Sequence, residues 1–246
     1  MMMSVNEYTE RFYRRRVRSS GLLTFEVAVK ETDLLVSAKK RLEKEARDLV
    51  FASRHQIESY IETHNEFLTT LEPYPDDPFA PPLVREMIEC TRNVGVGPMA
   101  SVAGAVAQFV GFGLLHWSKE VIVENGGDVF IKTRKNLRVG IFAAESALSM
   151  KVAIRVLPEE TPLGICTSSA SVGHSLSFGI ADAVCVKSKS ALLADAAATF
   201  VGNRVKKKEN IKRAIEEGLK IEGVLGVVVI AGDAMGIAGN IEIEAI

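Results

Sequence analysis

Residues 163–203 read LGICTSSASVGHSLSFGIADAVCVKSKSALLADAAATFVGN, and the order of elements in this stretch sets the fold. PLGICT and ADAVCVKS are short apolar runs rich in strand-forming residues and bounded by Thr, Ser and Gly, the pattern of two strands. After Ser190 the spacing becomes helical over Ala191–Val201, in a segment made largely of Ala and Leu, both strong helix formers. Asp195 and Thr199 stand four apart in this helix, so they share one face a turn apart. A carboxylate and a hydroxyl that converge in this way can hold a hard cation through oxygen. Asp195 in so apolar a helix has to be paired, metal-bound or at the surface, because an unpaired buried carboxylate is costly.

Working outward, residues 12–38 read as strands FYRRRV, LTFEVAVKE and DLLVSA, with turns at Ser19–Gly21 and Glu31–Asp33. Residues 40–71 carry helical spacing, with Leu42, Ala46, Leu49, Val50, Ile57, Ile61 and Leu68 near one face. Three prolines between Glu72 and Pro78 end that helix, and Pro81-Pro82 opens another over Leu83–Thr91. Val94–Leu115 contains no charged residue, which raises the question of a membrane span. Gly95 and Gly97 suit a loop, however, and Pro98 suits the first turn of a helix over Met99–Leu115. A helix of that length is short for a bilayer, and its small residues suit burial against a sheet or a ligand. Strands follow at 120–123, VFIKT, LRVGIFAA and MKVAIRVL; after the opening stretch come a helix over Asn210–Leu219, the apolar strand GVLGVVVIAG and a short end strand, NIEIEAI. The expectation is an α+β fold, mixed or antiparallel sheets packed with helices, as one domain over residues 1–246.

Composition narrows the function. A net charge of -1 gives no case for nucleic acid or an anionic membrane as partner. Arg14-Arg15-Arg16-Val17-Arg18 reads as the solvated face of a first strand. The opening MMMSVNEYTERF lacks the apolar core of a signal peptide, which predicts a cytoplasmic location. Cys90, Cys166 and Cys185 are odd in number and not in C-x-x-C spacing, arguing for reduced thiols and against a zinc ribbon or disulfide framework. An apolar fraction of 47% is high for one domain and leaves room for a homo-oligomer.

Several polar residues are candidates for chemistry. Asn125-Gly126-Gly127-Asp128 lies between two apolar strands and reads either as a hairpin turn or as a backbone that a ligand can approach, with Asp128 able to bind a hydroxyl. Thr167-Ser168-Ser169, after a strand end, can offer hydroxyls and amides to an anion. His174 sits in a polar, flexible setting and reads as a general acid/base or as a structural histidine. Cys166 precedes the Thr-Ser-Ser turn; burial is the default for a free cysteine, and a thiol at a pocket lip is the reactive alternative.

Three blocks, in order, resemble the ApbE superfamily, whose best-known members are FAD:protein FMN transferases. Val123–Asp128 with the strand ending Val139-Gly140-Ile141 is similar to that family's Gly-Gly-Asp strand and turn. Cys166-Thr167-Ser168-Ser169 resembles its Ala-Thr-Ser-Gly block, with His174 where the family has a histidine. Ala194–Thr199 resembles its Ala-Asp-Ala-x-x-Thr block, whose Asp and Thr bind Mg²⁺. The likeness is nearer still to a branch of anaerobic archaea and bacteria that is not established as a flavin transferase. The chain departs from the transferases in the run Gly97–Gly104, which keeps the final Gly but lacks the family's Asp and Lys. It departs again after His174, where Ser175–Gly179 replaces Asp-Pro-x-Thr-Gly. The resemblance implies a small-molecule nucleotide ligand, FAD or FMN. Mg²⁺ would sit at Asp195 and Thr199, and Gly126, Gly127, Asp128 and Thr167–Ser169 would line the pocket. His174 would be the acid/base group. It implies Mg-dependent flavin-nucleotide binding or a transferase-like activity. Two alternatives are a binding protein without that chemistry and, from the branch's association with sulfide assimilation and homocysteine formation, a factor carrying sulfur on Cys166 as a persulfide.

Overall fold

The computed structural model describes residues 21–170 and 178–246. Its strands are β1 (Leu23–Val29), β2 (Thr32–Ala38), β3 (Val121–Asn125), β4 (Asp128–Lys132), β5 (Leu137–Gly140), β6 (Val152–Val156), β7 (Leu163–Ser168), β8 (Ala183–Ser188), β9 (Val224–Ala231), β10 (Ala234–Gly239) and β11 (Glu242–Ala245). The helices are α1 (Glu43–Thr63), α2 (Asn65–Thr69), α3 (Pro82–Val94), α4 (Val102–Leu114), α5 (Ala191–Gly202) and α6 (Ile211–Gly218). Eight strands form one sheet in the order β1-β2-β3-β4-β7-β8-β9-β10, and β11-β6-β5 form a second. Every pairing is antiparallel. The expected α+β class is therefore observed, with antiparallel sheets throughout the described residues. The expected strand FYRRRV, with its arginine run, lies outside them.

Side chains alternate across the large sheet, and both of its faces are covered. Val27, Val36, Val123, Phe130, Cys166, Val184 and Val229 face the helices. Val129, Ile131, Ile165, Cys185, Val228 and Ile230 face the small sheet, where Ile154 and Val156 of β6 meet them. Double coverage is why β9 reads as an almost unbroken apolar run rather than an alternating one.

Small residues let the helices settle onto this sheet. α4 lies across β3 and β4, and a Cβ at Gly111 would stand 2.1 Å from the ring of Phe130. α5 lies across β7 and β8, and a Cβ at Gly164 would stand 2.2 Å from the Cα of Ala191. The charge-free segment is thus packed against protein. No single described helix is long and apolar enough to cross a membrane; α3 and Pro98–Leu114 qualify only together, across a 101° bend.

The helix expected over residues 40–71 is divided at His64 into α1 and α2, and two further details differ. Pro98–Ser101 forms a 3₁₀ turn, so α4 begins at Val102 rather than Met99. β10 was not expected, because AMGIAG has neither alternation nor β-branched density; it forms by pairing with β9 from Ala234↔Ala231 to Gly239↔Gly226.

A buried ion pair lies on the face toward the small sheet. Lys187 of β8, 2% exposed, donates to Glu160 Oε1 at 2.6 Å. Burial pushes the Glu160 carboxyl upward, but the Leu157 amide and the ammonium of Lys187 outweigh it and hold it below the ordinary value. The pair therefore stabilises the fold above the unfolded-chain value of about 4.3. That contribution is lost as pH falls through the lower folded value. Lys187→Met should cost about 3 kcal/mol in a urea melt at neutral pH, the low end for a broken buried pair because Glu160 keeps some solvent. The cost should shrink progressively as the melt is repeated at pH values falling through the lowered wild-type carboxyl value, where Glu160 becomes protonated in both proteins; an unchanged difference would rule the ion pair out as its source.

Candidate metal and nucleotide site

The turn between β3 and β4 is the first wall of the site. Asn125 and Asp128 are its closing pair, and the two residues between them have φ of 69° at Gly126 and 110° at Gly127. Positive φ at both central positions of a two-residue hairpin loop is the type I′ form, which glycine adopts without a Cβ penalty. The hairpin reading is therefore shown. Strand alternation then puts Asn125 on the same face as Val123, and Asp128 on the same face as Phe130, both toward the helices. Asp128 is 8% exposed.

α5 supplies the second wall. Ser190 caps it, accepting from Leu193 N at 3.2 Å. Asp195 projects from its second turn toward the start of α4, and the Gly104 N–H donates to Asp195 Oδ2 at 2.8 Å. The opening amides of a helix lack intrahelical acceptors and carry its positive end, so a carboxylate is favoured there. The contact requires glycine at 104: a Cβ would stand 2.3 Å from the Ala191 carbonyl oxygen and 2.8 Å from the Asp195 Cβ.

Despite those amides, the Asp195 carboxyl is held well above the usual carboxylate range. Burial is the main cause and the Asp128 carboxylate the second; the Gly104 and Ala103 amides pull the other way. The two carboxyls thus repel one another, with Asp195 half-buried and Asp128 buried, a setting in which an added cation is stabilising. Thr199, half-buried, lies one turn further along the same helix.

Cys166 does not lie at a strand end, as its sequence context suggested. It is inside β7, fully buried, and its Sγ donates to the Ala191 carbonyl at 3.1 Å. Burial, then the Asp128 and Asp195 carboxylates, push its thiol well above the ordinary value. Reactive cysteines need access and a depressed pKa, so this geometry runs against a sulfur-carrying role. Thr167 and Ser168 likewise belong to β7, not to a turn beyond it, and only Ser169 follows the strand. Ser168 shares the helix-facing side with Cys166, whereas the Thr167 hydroxyl lies 3.1 Å from Cys185 Sγ on the opposite side. Cys185 is also buried, its thiol pushed up to about 12.

His174 lies outside the described residues. The chain on either side is anchored: Ala170 N donates to Ala181 O at 3.0 Å, Phe178 N to Asn203 Oδ1 at 2.9 Å, and Ile180 N to Val205 O at 2.8 Å. Those last two contacts tie it to the C-terminal end of α5.

Gln108 was not singled out from sequence, and Asn125 and Gly104 were read only as parts of the Asn-Gly-Gly-Asp run and of the Gly97–Gly104 block, without a contact of their own. Asn125 Nδ2 donates to the Ala103 carbonyl at 3.1 Å, and Gln108 Oε1 accepts from Ala191 N at 2.8 Å. Gln108 carried a readable signal, since it is the one polar side chain in α4 and a polar group in such a helix has to find a partner.

Residues 14–238 match the protein family described as "AbpE bacteria". The chain belongs to this family. It is 38% identical over 221 residues to the UPF0280 protein of Methanocaldococcus jannaschii, covering 87% of this chain and 90% of that protein. It is 37% identical over 219 residues to the UPF0280 protein of Methanocella arvoryzae, covering 89% of each. Among solved structures it is similar to the apo form of the flavinyl transferase ApbE of Pseudomonas stutzeri, with a TM-score of 0.57 and 14% identity over 89% of this chain and 94% of that one. It is also similar to the flavin transferase ApbE of Vibrio cholerae, with a TM-score of 0.57 and 11% identity over 89% and 96%. This is the ApbE-like fold, carried by an ApbE-like protein whose near relatives are archaeal UPF0280 proteins.

Native protein treated with iodoacetamide near pH 8 should leave Cys166 and Cys185 unlabelled by mass spectrometry until denaturant is added. Cys90, half-buried and with its thiol pushed up to about 12 by burial and by the Asp195 charge, should label slowly. Fast labelling of Cys166 would restore it as a reactive thiol.

Proposed function

We propose that this protein binds a flavin dinucleotide with the help of Mg²⁺, at the place where the β3–β4 turn meets the start of α4 and the second turn of α5. The observation that carries the reading is the Asp195 carboxylate, held at the start of α4 and raised by burial and by Asp128. The donor set fits the ion: Asp195 and Thr199 offer hard oxygens a turn apart on one helix. Among the described residues no three of His, Cys, Asp and Glu converge on a metal. A centre of few protein ligands suits Mg²⁺, which keeps several waters and takes phosphate oxygens, better than zinc, which wants three or four side chains. Bound there, the ion would neutralise pyrophosphate charge.

The chain's own residues would do the remainder. Gly126 and Gly127 expose backbone to the ligand, Asp128 can accept from a hydroxyl, and Ser168 lies on the same face. Thr167 would contribute through its backbone, since its side chain turns away. The run Gly97–Gly104, without the Asp and Lys of flavin transferases, favours binding over transfer.

The test is a titration of purified protein with FAD and with FMN, with and without Mg²⁺. FAD should bind at least tenfold more tightly with Mg²⁺, about 1.4 kcal/mol, and Asp195→Ala should abolish that gain. Chromatography of the bound flavin should return intact FAD; release of AMP would establish transferase-like chemistry instead. Absence of flavin binding under all conditions would overturn the reading.

A further inference from the structure

We propose that Asn125 is a positioning residue for this site, acting through the Ala103–Gly104 peptide group. Its geometry rests on hydrogen bonds alone, and its consequence for ligand binding rests on the nucleotide-site reading above.

One peptide unit is gripped from both ends. Its carbonyl, that of Ala103, accepts from Asn125 Nδ2 at 3.1 Å, and its N–H, that of Gly104, donates to Asp195 Oδ2 at 2.8 Å. A peptide group is a rigid plane, so the two contacts cannot move independently. Packing removes the slack around it, because a Cβ at Gly104 would already overlap the Ala191 carbonyl and Asp195. One turn along α4, Gln108 accepts from the Ala191 amide at 2.8 Å and ties the same two helices a second time. Asn125 belongs to the turn that carries Asp128. The chain of contacts therefore runs from the Asp128 turn, through Asn125 and the peptide, to Asp195. It links the turn that carries Asp128 to the Asp195 carboxyl.

The turn itself does not call for asparagine. Its positive-φ positions are Gly126 and Gly127, and Asn125 is the flanking strand residue. What the contact requires is a donor to a carbonyl. Leucine matches the size of asparagine and cannot donate, while aspartate would set a negative charge against the carbonyl oxygen.

The experiment compares wild type, Asn125→Leu and Tyr60→Phe, the last removing a hydrogen bond to Asp77 remote from the site. Hydrogen exchange is followed at the Gly104 amide in ligand-free protein, and FAD affinity with and without Mg²⁺. In Asn125→Leu the Gly104 amide should exchange at least tenfold faster while β9 amides keep their wild-type rates, and the Mg²⁺-dependent gain in FAD affinity should fall toward one. Tyr60→Phe should lower Tm yet leave Gly104 exchange and the Mg²⁺ gain as in wild type. Should Asn125→Leu fail to fold, Asn125→Ser, which retains a donor at shorter reach, should show a smaller acceleration in the same place. Gly104 exchange at the wild-type rate in a folded Asn125 variant would overturn the proposal. If wild type binds no flavin, the nucleotide reading falls, and the exchange rates alone decide the role of Asn125.

Discussion

The close approach of α4 and α5 is the constraint on which the site depends. Both helices lie on the large sheet at positions where a single added methyl group would collide, at Gly111 over Phe130 and at Gly164 beneath Ala191. They meet each other at Gly104, again with no room for a Cβ. Only this spacing lets a carboxylate on one helix reach the opening amides of the other. A pair of helices packed at ordinary side-chain distance would leave Asp195 pointing into a gap.

The electrostatics follow from that packing. Asp195 gains two amides and loses water, and the loss is larger, so its carboxyl is raised. Asp128 adds to the effect from the neighbouring hairpin, and burial, followed by the same two carboxylates, raises the Cys166 thiol. Nothing about stability recommends two mutually repelling acids beside a buried thiol. Such local violations concentrate where a protein binds something. The contrast with Lys187 and Glu160 is instructive: there an acid and a base are buried together, each lessens the other's cost, and the pair is a structural fixture on the opposite face of the sheet.

The sequence carried the elements more clearly than the contacts. Strands β7, β8 and β9 and helix α5 were readable because their apolar spacing matches the faces they bury. β10 was not, because AMGIAG is mostly alanine and glycine and is ordered by β9 alongside it. Cys166 was read at a strand end, buried by default and at a pocket lip as the alternative, because Thr-Ser-Ser looks like a turn; in the fold Thr167 and Ser168 are strand residues, and alternation sends them to opposite faces.

By itself the sequence determined the α+β class, the two-glycine hairpin and the i, i+4 pairing of Asp195 with Thr199. Each depends only on neighbours along the chain, through backbone preference or helical period. The tertiary structure decided which groups those residues meet. That Asp195 would find Gly104, Asn125 the Ala103 carbonyl, and Asp128 a second carboxylate depends on how helices from distant parts of the chain settle on one sheet. No local spacing encodes that separation, because it is set by missing Cβ atoms at positions that become neighbours only once the sheet has formed.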